Sequence, residues 1–334
     1  MNVFIGELPP PYGGVAVKDK LMYHAIYEPV GVKFLNLVEC KWKPWKIPIV
    51  GVYLIYYMFI AEHIIIGVGT NQRRKILLSL RKLVGGYNGL KKTHIIAMGG
   101  MFHETTRNDK MLRYLTGNCG SVWVETEGMK ISLEKQGFRN VKLFPNCRTG
   151  LNSCPPRAVG DKIKYVYFSR ICAEKGVDEI IEAVKKNNGR WSLDFYGEIA
   201  SEYNDKFNLF LEEHPDVIYH GVFDSTKGDV YKELNQYDAI LLPSKWIGEG
   251  VPGALVEAKM SGIAAIVSDW KFNSEIVRNQ IEGVVLKKEL SIVLNDMRPE
   301  EMERYKQAAY ISRLRYCIDT YKDDLLKEIQ GAFH

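Results

Sequence analysis

The sequence has few of the features that would place it outside the ordinary globular proteins. Its six cysteines are scattered, with no C-x-x-C pair and no zinc-like spacing to histidine, which predicts free thiols in a reducing compartment. No segment recurs at the period of a repeat protein. The N-terminus has no basic segment before an apolar run, so we expect a first β-strand there and no secretion signal. The cysteines are Cys40, Cys119, Cys147, Cys154, Cys172 and Cys317.

A long uninterrupted hydrophobic run is also missing. Residues 47–69 are strongly apolar, but Glu62 and His63 interrupt them. A membrane-spanning helix needs about 20 apolar residues, and a charge near its middle costs roughly 3 kcal/mol or more. We therefore expect a buried helix followed by a buried strand, and a cytoplasmic protein.

Charge is distributed unevenly along the chain. Residues 1–150 carry 21 Lys and Arg against 10 Asp and Glu, and the totals of 45 and 40 leave 24 and 30 for residues 151–334. A basic half suits nucleic acid, an anionic membrane or a phosphorylated substrate, while simple solubilising charge is the plainer interpretation. Apolar and aromatic residues flank the basic clusters, which favours peripheral contact with an anionic membrane and disfavours nucleic acid. These clusters are Lys41, Lys43 and Lys46, and Arg73, Arg74, Lys75, Arg81 and Lys82.

Short apolar runs alternate with amphipathic stretches in both halves, which is typical of β-α-β units and a parallel sheet. The segment 145–157 is rich in turn formers and predicts a linker. The predicted strands are 2–6, 32–38, 64–67, 94–98, 121–125 and 141–144 in the first half, and 164–168, 191–196, 217–220, 239–242 and 264–268 in the second. The predicted helices include 72–83, 108–114, 177–186, 202–213, 230–235 and 252–260, with a helical tail over 299–329.

This pattern predicts an α/β protein of two facing doubly wound, Rossmann-like domains with a central cleft. The length suits two cores of common size. The predicted divisions are a first domain over 1–150, a linker over 151–161, a second domain over 162–300 and C-terminal helices over 301–334. Ligands in such sheets bind beyond the carboxyl ends of the strands.

The loop after the predicted strand 164–168 carries two cations, Arg170 and Lys175, and Gly176 precedes a helix. Free backbone N–H groups and the positive end of a helix attract an anion at such a position. Arginine grips phosphate oxygens with two donors, while lysine acts as a mobile point charge. Taken alone, the pair could equally be two ordinary surface cations.

A second group of residues follows the predicted strand 239–242. Glu249 lies in a glycine-flanked loop, Pro252 suits the first position of a helix, and Glu257 lies within that helix. If the whole segment were helical, the carboxylates would be separated by a rise of about 12 Å, so they are no close acid–base pair. Both carboxylates can accept hydrogen bonds from sugar hydroxyls, with the helix N-terminus at Gly250, Val251 and Gly253 placed between them for phosphates.

The spacing of Glu249 and Glu257 resembles glycosyltransferase family 4, as do the neighbouring segments. Pro243-Ser244 comes before it, and 261–269, Asn273-Ser-Glu275 and Glu282-Gly283 come after it, with Arg170-x4-Lys175-Gly176 upstream. In detail the pattern is similar to the branch of bacterial capsule and exopolysaccharide enzymes. The resemblance covers residues 162 to about 287.

The first half resembles the family less tightly. Gly13-Gly14 matches the glycine loop after the first strand, where absent side chains let the backbone approach a ligand. The family's histidine at the end of the strand 94–98 is replaced by Gly99, and His103 follows four residues later. His103 could serve the same space from a loop, or be an ordinary loop histidine.

The resemblance implies the GT-B architecture and transfer of a hexose, with retention of configuration, from a nucleoside-diphosphate sugar. UDP is favoured over GDP as the nucleotide, and no other cofactor is implied. The acceptor would be a growing polysaccharide or a lipid-linked glycan bound by residues 1–150 at the inner membrane face. No Asp-x-Asp triplet is present to hold a divalent ion, so we expect metal-independent activity.

The resemblance also implies roles for the candidate residues. Arg170 and Lys175 would stabilise the diphosphate and Glu257 would hold the ribose. Glu249 would bind the donor sugar with the backbone of 250–253. The implied catalytic residues are Arg170, Lys175, Glu249 and His103, and the implied donor-binding residues are Gly13, Gly14, Arg170, Lys175, Gly197, Glu249, Gly250, Val251, Pro252, Gly253 and Glu257.

Other functions remain possible from the residues. A nucleotide-sugar epimerase or a phosphorylase would share the donor site, and a non-catalytic partner subunit would keep the fold without the activity. A dinucleotide oxidoreductase has little support, because no G-x-G-x-x-G follows the first strand of either half.

Overall fold

The computed structural model of the chain describes residues 1–9, 14–85, 87–150 and 153–330. The chain forms two compact units: unit 1 is Met1–Arg148 with Cys317–His334, and unit 2 is Thr149–Tyr316. Each unit contains a six-stranded sheet, and every strand pair in both sheets is parallel. The predicted α/β class with two such sheets is therefore confirmed.

The sheet of unit 1 has the strand order β2-β1-β3-β4-β5-β6. Most of its strands are buried, as expected when helices cover both faces of a parallel sheet. The order in which strands are added reverses between β1 and β3, so their carboxyl ends form a topological switch point. The strands β1 to β6 are Val3–Gly6, Lys33–Asn36, Ile64–Ile66, Thr93–Ile96, Ser121–Val124 and Val141–Leu143.

Eight α-helices connect these strands in the described part of unit 1 before residue 148. One predicted helix, 108–114, has the wrong start. Asp109 has an extended backbone and its side chain accepts a hydrogen bond from Leu112 N at 2.9 Å, so it ends one helix and caps the next. The helices α1 to α8 are Gly14–Met22, Glu39–Trp42, Ile47–Ile60, Thr70–Leu83, Tyr87–Lys91, Phe102–Asn108, Lys110–Gly117 and Glu127–Glu134.

The burial predicted for the apolar helix in residues 47–69 is wrong. The strand β3 is buried as expected, but among the fourteen residues of α3, all described, only Met58 is buried. Apolar composition alone does not distinguish a core helix from an exposed one, because burial depends on what other elements cover the helix. Within the described residues, no helix is long and apolar enough to cross a membrane.

The sheet of unit 2 has the strand order β12-β11-β10-β7-β8-β9, with its switch point between β7 and β10. Five of these strands match predicted ones to within a few residues. The sixth, β12, was not predicted as a strand, since its four residues Gly-Val-Val-Leu form too short a run to show alternation. The strands β7 to β12 are Ile163–Phe168, Trp191–Tyr196, Ile218–Tyr219, Ala239–Leu242, Ala264–Ser268 and Gly283–Leu286.

The helices of unit 2 cover both faces of its sheet. Pro252 was predicted at the first helical position, but the helix begins at Gly253 and Pro252 is its N-cap residue. The backbone of Pro252 has ψ 126°, which is outside the helical region. The helices α9 to α15 are Val177–Lys185, Asn204–Glu213, Val230–Leu234, Gly253–Met260, Asn273–Ile276, Leu290–Asp296 and Pro299–Ser312.

The C-terminal stretch is divided between the two units. Helix α15 packs against α12 and β11 in unit 2. The last described helix, α16 (Lys322–Gln330), belongs to unit 1, where Leu325 and Ile329 join the core that contains Phe4 and Phe144. All six cysteines are free thiols in the structure.

Candidate functional site

The loop after β7 is held in place by a close approach of two backbone segments. A one-turn helix, Ala173–Lys175, leads to Gly176, which has φ +78° and precedes α9. A Cβ atom at Gly176 would lie 2.2 Å from the carbonyl oxygen of Pro243 in the loop after β10. Only glycine satisfies both the left-handed conformation and this spacing, so the sequence brings these two loops together at the switch point.

Gly197, predicted to bind the donor, lies at the end of β8 beside the same loop. It has φ +147°, and a Cβ there would lie 1.8 Å from the carbonyl oxygen of Ser169. The next residues continue the pairing, because Ile171 N donates to Glu198 O at 2.8 Å. The glycine therefore allows the backbone after β8 to pack against the loop that carries Arg170.

Three loops at the carboxyl edge of the sheet are linked by hydrogen bonds. Lys245 N donates to Glu174 O at 2.8 Å, which joins the loops after β10 and β7. The indole N–H of Trp270, after β11, donates to Trp246 O at 2.9 Å. The hydroxyl of Ser268 also donates to the backbone carbonyl of Ser244. These bonds give the switch point a fixed backbone on which side chains can be positioned.

The structure brings Lys175 and Glu249 together at this edge. Lys175 Nζ lies 2.6 Å from Glu249 Oε2, and the hydroxyl of Ser244 donates to the same oxygen at 2.7 Å. The Glu249 residue is only 7% exposed and the Lys175 side chain 17%. Glu249 Oε1 makes no hydrogen bond with any residue that the structure describes. The carboxylate therefore fixes the ammonium group through one oxygen and keeps the other available to a ligand.

Arg170 and Glu257 stand at the margins of this pair. The Arg170 side chain is half-exposed, and its nearest carboxylate is Glu202 at 3.8 Å. The backbone carbonyl of Arg170 accepts a hydrogen bond from the buried hydroxyl of Tyr167 at 2.6 Å, and burial raises the pKa of that phenol well above its ordinary value. Glu257 lies on α12 and is partly exposed.

The loop after β10 leads directly into the first turn of α12. The helix has no side-chain cap at its N-terminus, so its first N–H groups need a partner from another source. Gly250, Val251 and Pro252 are buried and Gly253 is partly buried. A phosphate is the kind of anion that such backbone donors bind.

The other candidate residues belong to unit 1, whereas Lys175 and Glu249 belong to unit 2. Gly13 lies outside the described residues. Gly14 is the first residue of α1, and apart from its chain neighbours and its own helix no atom of the described residues lies within 4 Å of a Cβ built on it. His103 is not on a loop as expected but in the first turn of α6, where its carbonyl accepts a hydrogen bond from Gln136 Nε2 at 2.8 Å.

One residue at the switch point of unit 1 was missed by sequence reasoning. Asp19 on α1 is fully buried against the ends of β1 and β3. Its Oδ2 accepts a hydrogen bond from Glu7 N at 2.8 Å, while Oδ1 has no partner among the described residues. Burial raises the pKa of this carboxyl well above its ordinary range, against the opposing effects of the Glu7 hydrogen bond and the Lys18 charge. A single aspartate in a helix gives no sequence signal of this kind.

A cavity of about 730 Å³ opens on the α9 side of the same sheet edge. None of Arg170, Lys175, Glu249 and Glu257, all of them described, lines it. Its rim carries ion pairs such as Lys245–Glu179 at 2.5 Å. We place the candidate site at Lys175 and Glu249, because ion pairs occupy charged groups on the rim of this cavity, whereas Glu249 Oε1 makes no hydrogen bond with a described residue. Among the described residues there is no cluster of three His, Cys, Asp or Glu side chains that could hold a metal ion.

Comparison with known families identifies part of the chain. Residues 155–309 match the family described as "Glycosyl transferases group 1". These residues lie within unit 2, so the similarity to this family is found in unit 2. The chain matches no curated protein.

Several solved structures are similar to the chain over most of its length. HepE (Alr3699) of Anabaena, solved in complex with UDP, is 12% identical with a TM-score of 0.75, over 99% of this chain and 100% of that one. The lipopolysaccharide outer core galactosyltransferase WaaB is 17% identical with a TM-score of 0.70, over 98% and 99%. TarM of S. aureus is 18% identical with a TM-score of 0.61, over 83% of this chain and 58% of that one. The chain has the GT-B fold of these proteins.

Proposed function

We propose that the chain is a retaining glycosyltransferase that moves a hexose from a nucleoside-diphosphate sugar, with UDP favoured over GDP, to a glycan. The observation that carries the proposal is the Lys175–Glu249 pair at the switch point of a glycosyl transferases group 1 domain. Bound UDP and UDP-glucose in the HepE structures support the donor class. The more detailed assignment, to family 4 and its capsule and exopolysaccharide branch, rests on the motif spacing.

The Lys175–Glu249 pair can contact both the diphosphate and the sugar of such a donor. Lys175 has three N–H donors and gives one to Glu249, so its charge and remaining donors can reach a phosphate. Glu249 Oε1 can accept a hydrogen bond from a sugar hydroxyl while Oε2 holds the lysine in place. Positive charge is most useful on the diphosphate, since breaking the sugar–phosphate bond leaves negative charge there, and one fixed donor aimed at developing charge is worth roughly 3–4 kcal/mol.

The remaining donor contacts follow from the surrounding elements. Arg170 would grip a phosphate oxygen, and the uncapped N-terminus of α12 would donate backbone N–H groups to the diphosphate. Glu257, on the same helix, would accept hydrogen bonds from the ribose hydroxyls. We assign no protein nucleophile or base, and propose that the departing phosphate oxygen takes the proton of the acceptor.

We assign the acceptor to residues 1–150, as a growing polysaccharide or a lipid-linked glycan. The excess of basic residues in this half supports an acceptor at an anionic, cytoplasmic membrane face. TarM was solved with fondaparinux, a glycan, beside UDP. Gly13, Gly14 and His103 are the residues that we propose to face the bound substrates from this half.

Calorimetric titration with UDP, GDP, ADP and NAD tests the donor site directly. We expect saturable binding of one nucleoside diphosphate, UDP before the others, and its loss in the Arg170→Ala/Lys175→Ala double variant. A matched control is Lys185→Ala/Arg190→Ala, which removes the same two charges from the amino edge of the same sheet. The control should bind UDP as the wild type does.

Four outcomes would contradict parts of the proposal. Binding of NAD alone, or equal loss of affinity in both double variants, would remove the phosphate site from Arg170 and Lys175. Epimerised nucleotide sugar formed without any acceptor would favour an epimerase on the same fold. Nucleotide binding without transfer to any glycan would favour a non-catalytic partner subunit. The anomeric configuration of the product, measured by NMR, tests retention.

A further inference from the structure

Helix α3 carries an apolar face that unit 1 does not cover. Its fourteen residues contain no charged side chain. Val52 is 67% exposed and Phe59 55%, which is unusual for such residues on a folded protein. The exposed large apolar side chains of the helix are Ile47, Ile49, Val52, Tyr53, Ile55, Tyr56, Phe59 and Ile60.

The exposed face is wide and convex. At about 100° per residue, the exposed positions from Pro48 to Ile60 spread over roughly 160° of the helix circumference. Met58, with Ala61 just after the helix, is buried on the opposite side. The side chain of Lys92 donates to the carbonyls of Met58 and Ala61 at 2.8 and 2.7 Å, which fixes the end of the helix against unit 1. Helix α3 thus lies on the surface of unit 1 with one side packed and the other exposed.

The length of α3 limits the environments in which its apolar face can be buried. Fourteen residues rise about 21 Å, which is shorter than the hydrocarbon core of a bilayer at about 30 Å. An apolar segment of this length is usually a core helix, or an interfacial or re-entrant segment. Its exposure excludes a core helix, so an interfacial segment fits the observation.

The flanks of α3 have the chemistry of a membrane interface. Trp45, in the turn just before the helix, is 69% exposed, and tryptophan and tyrosine favour the headgroup level. Lys43 beside it and Lys33 on β2, which packs against α3, are exposed cations that suit anionic headgroups. Lys46 is neutralised by Glu39, and Glu62 at the other end pairs with the amino group of Met1 at 3.1 Å.

We infer that α3 is a membrane-docking helix that lies along an anionic lipid bilayer with its exposed apolar face inserted into one leaflet. The inference gives the membrane contact proposed above a defined surface. It does not rest on the sugar-transfer proposal, because the helix belongs to unit 1 and the donor residues belong to unit 2.

Co-sedimentation with lipid vesicles tests this inference. The variant Val52→Gln/Phe59→Gln removes two exposed apolar side chains without adding charge. The matched control, Leu83→Gln/Ile131→Gln, makes the same change at two other exposed positions of unit 1, 46% and 47% exposed. Each protein is mixed with phosphatidylcholine vesicles, with and without phosphatidylglycerol, at low and high salt. Thermal unfolding and UDP titration confirm that each variant keeps its fold and its donor site.

We expect the wild type and the control to sediment with the anionic vesicles. The partition coefficient of the α3 variant onto these vesicles should be lower by about tenfold or more, since each replaced side chain removes apolar surface that is buried in the leaflet. High salt should weaken the binding by screening the cations, but the part of the binding that comes from the inserted apolar face should remain. Failure of the wild type to bind, or equal binding by all three proteins, would overturn the inference. A wild-type dimer in sedimentation velocity that the α3 variant converts to a monomer, with no vesicle binding, would assign the face to a second copy of the chain.

Discussion

Replacing Glu282 with glutamine tests how far the stability of unit 2 depends on one buried carboxylate. Glu282 is fully buried after α13, and three cations surround it. Lys259 Nζ lies 2.8 Å from Oε2, while Arg278 Nε and Arg315 Nη2 lie 2.6 and 2.8 Å from Oε1. Lys259 is itself buried and donates to the hydroxyl of Ser312 at 2.9 Å.

The cost of the change follows from Lys259 more than from Glu282. Burial lowers the pKa of Lys259 to about 8, although the charge of Glu282 opposes that effect. Without the carboxylate, the pKa of Lys259 falls further, so the buried side chain must either keep a charge with no opposite charge beside it or give up its proton. Breaking a buried pair in this way costs about 3–5 kcal/mol. For a unit of this size that corresponds to a fall of roughly 6–20 °C in the melting temperature.

Thermal unfolding followed by circular dichroism measures this effect. Glu289→Gln is a matched control, because Glu289 is half-exposed and pairs with Lys186 at the surface, where such a pair is worth about 1 kcal/mol or less. The double variant Lys259→Met/Glu282→Gln should recover much of the loss, since it removes both charges and retains an apolar stem. A Glu282→Gln variant as stable as the Glu289 control, or a double variant less stable than Glu282→Gln, would refute this explanation.

Three further predictions concern the ribose contact, the metal and the C-terminal helix. Glu257→Ala should abolish a preference for UDP over 2′-deoxy-UDP of about tenfold, measured by calorimetry, because a hydrogen bond to a charged group is worth about 1.5–3 kcal/mol. Transfer activity should persist in excess EDTA, and an EDTA-sensitive reaction restored by Mg²⁺ would contradict metal independence. Burial raises the pKa of Glu328, but hydrogen bonds with His94 and Lys142 outweigh it and bring the pKa to about 2. Since this pKa lies below the ordinary glutamate value of 4.5, the stabilisation of α16 should be complete above pH 4.5 and lost as the pH falls toward 2. Hydrogen exchange in α16 should show this loss, and Glu328→Gln should remove it.

The parts of the fold that could be predicted from the sequence are those set by local pattern. The strand Val3–Gly6 and the strand Ala264–Ser268, apart from its last residue, are continuous apolar runs, because a parallel sheet buries both faces of its strands. Helix α9 was predicted to within one residue, since Gly176 and the amphipathic spacing after it mark its start. In each case the signal lies within about ten neighbouring residues.

The features that could not be predicted depend on residues far apart in the chain. Lys175 and Glu249 are separated by 74 positions and meet because β7 and β10 are neighbours in the sheet. The exposure of α3 depends on which other elements of the fold pack against it. Its apolar composition therefore favoured a buried helix, which is wrong. Asp19 can be buried because Gly6, at the end of β1, and Gly67, just after β3, leave room for its carboxyl.

Three glutamates of the motif region therefore differ in what they can do, although all three belong to segments that resemble the same family. Glu282 is enclosed by three cations and has no exposed surface for a ligand. Glu249 accepts hydrogen bonds from Lys175 and Ser244 through Oε2, and its Oε1 is available to a ligand. Glu257 is partly exposed on α12. It follows that a loss of activity in Glu282→Gln should act through stability and be relieved by Lys259→Met. A loss in Glu249→Gln should persist in a fully folded protein, and Lys175→Met should deepen it, because that lysine is itself part of the proposed donor site.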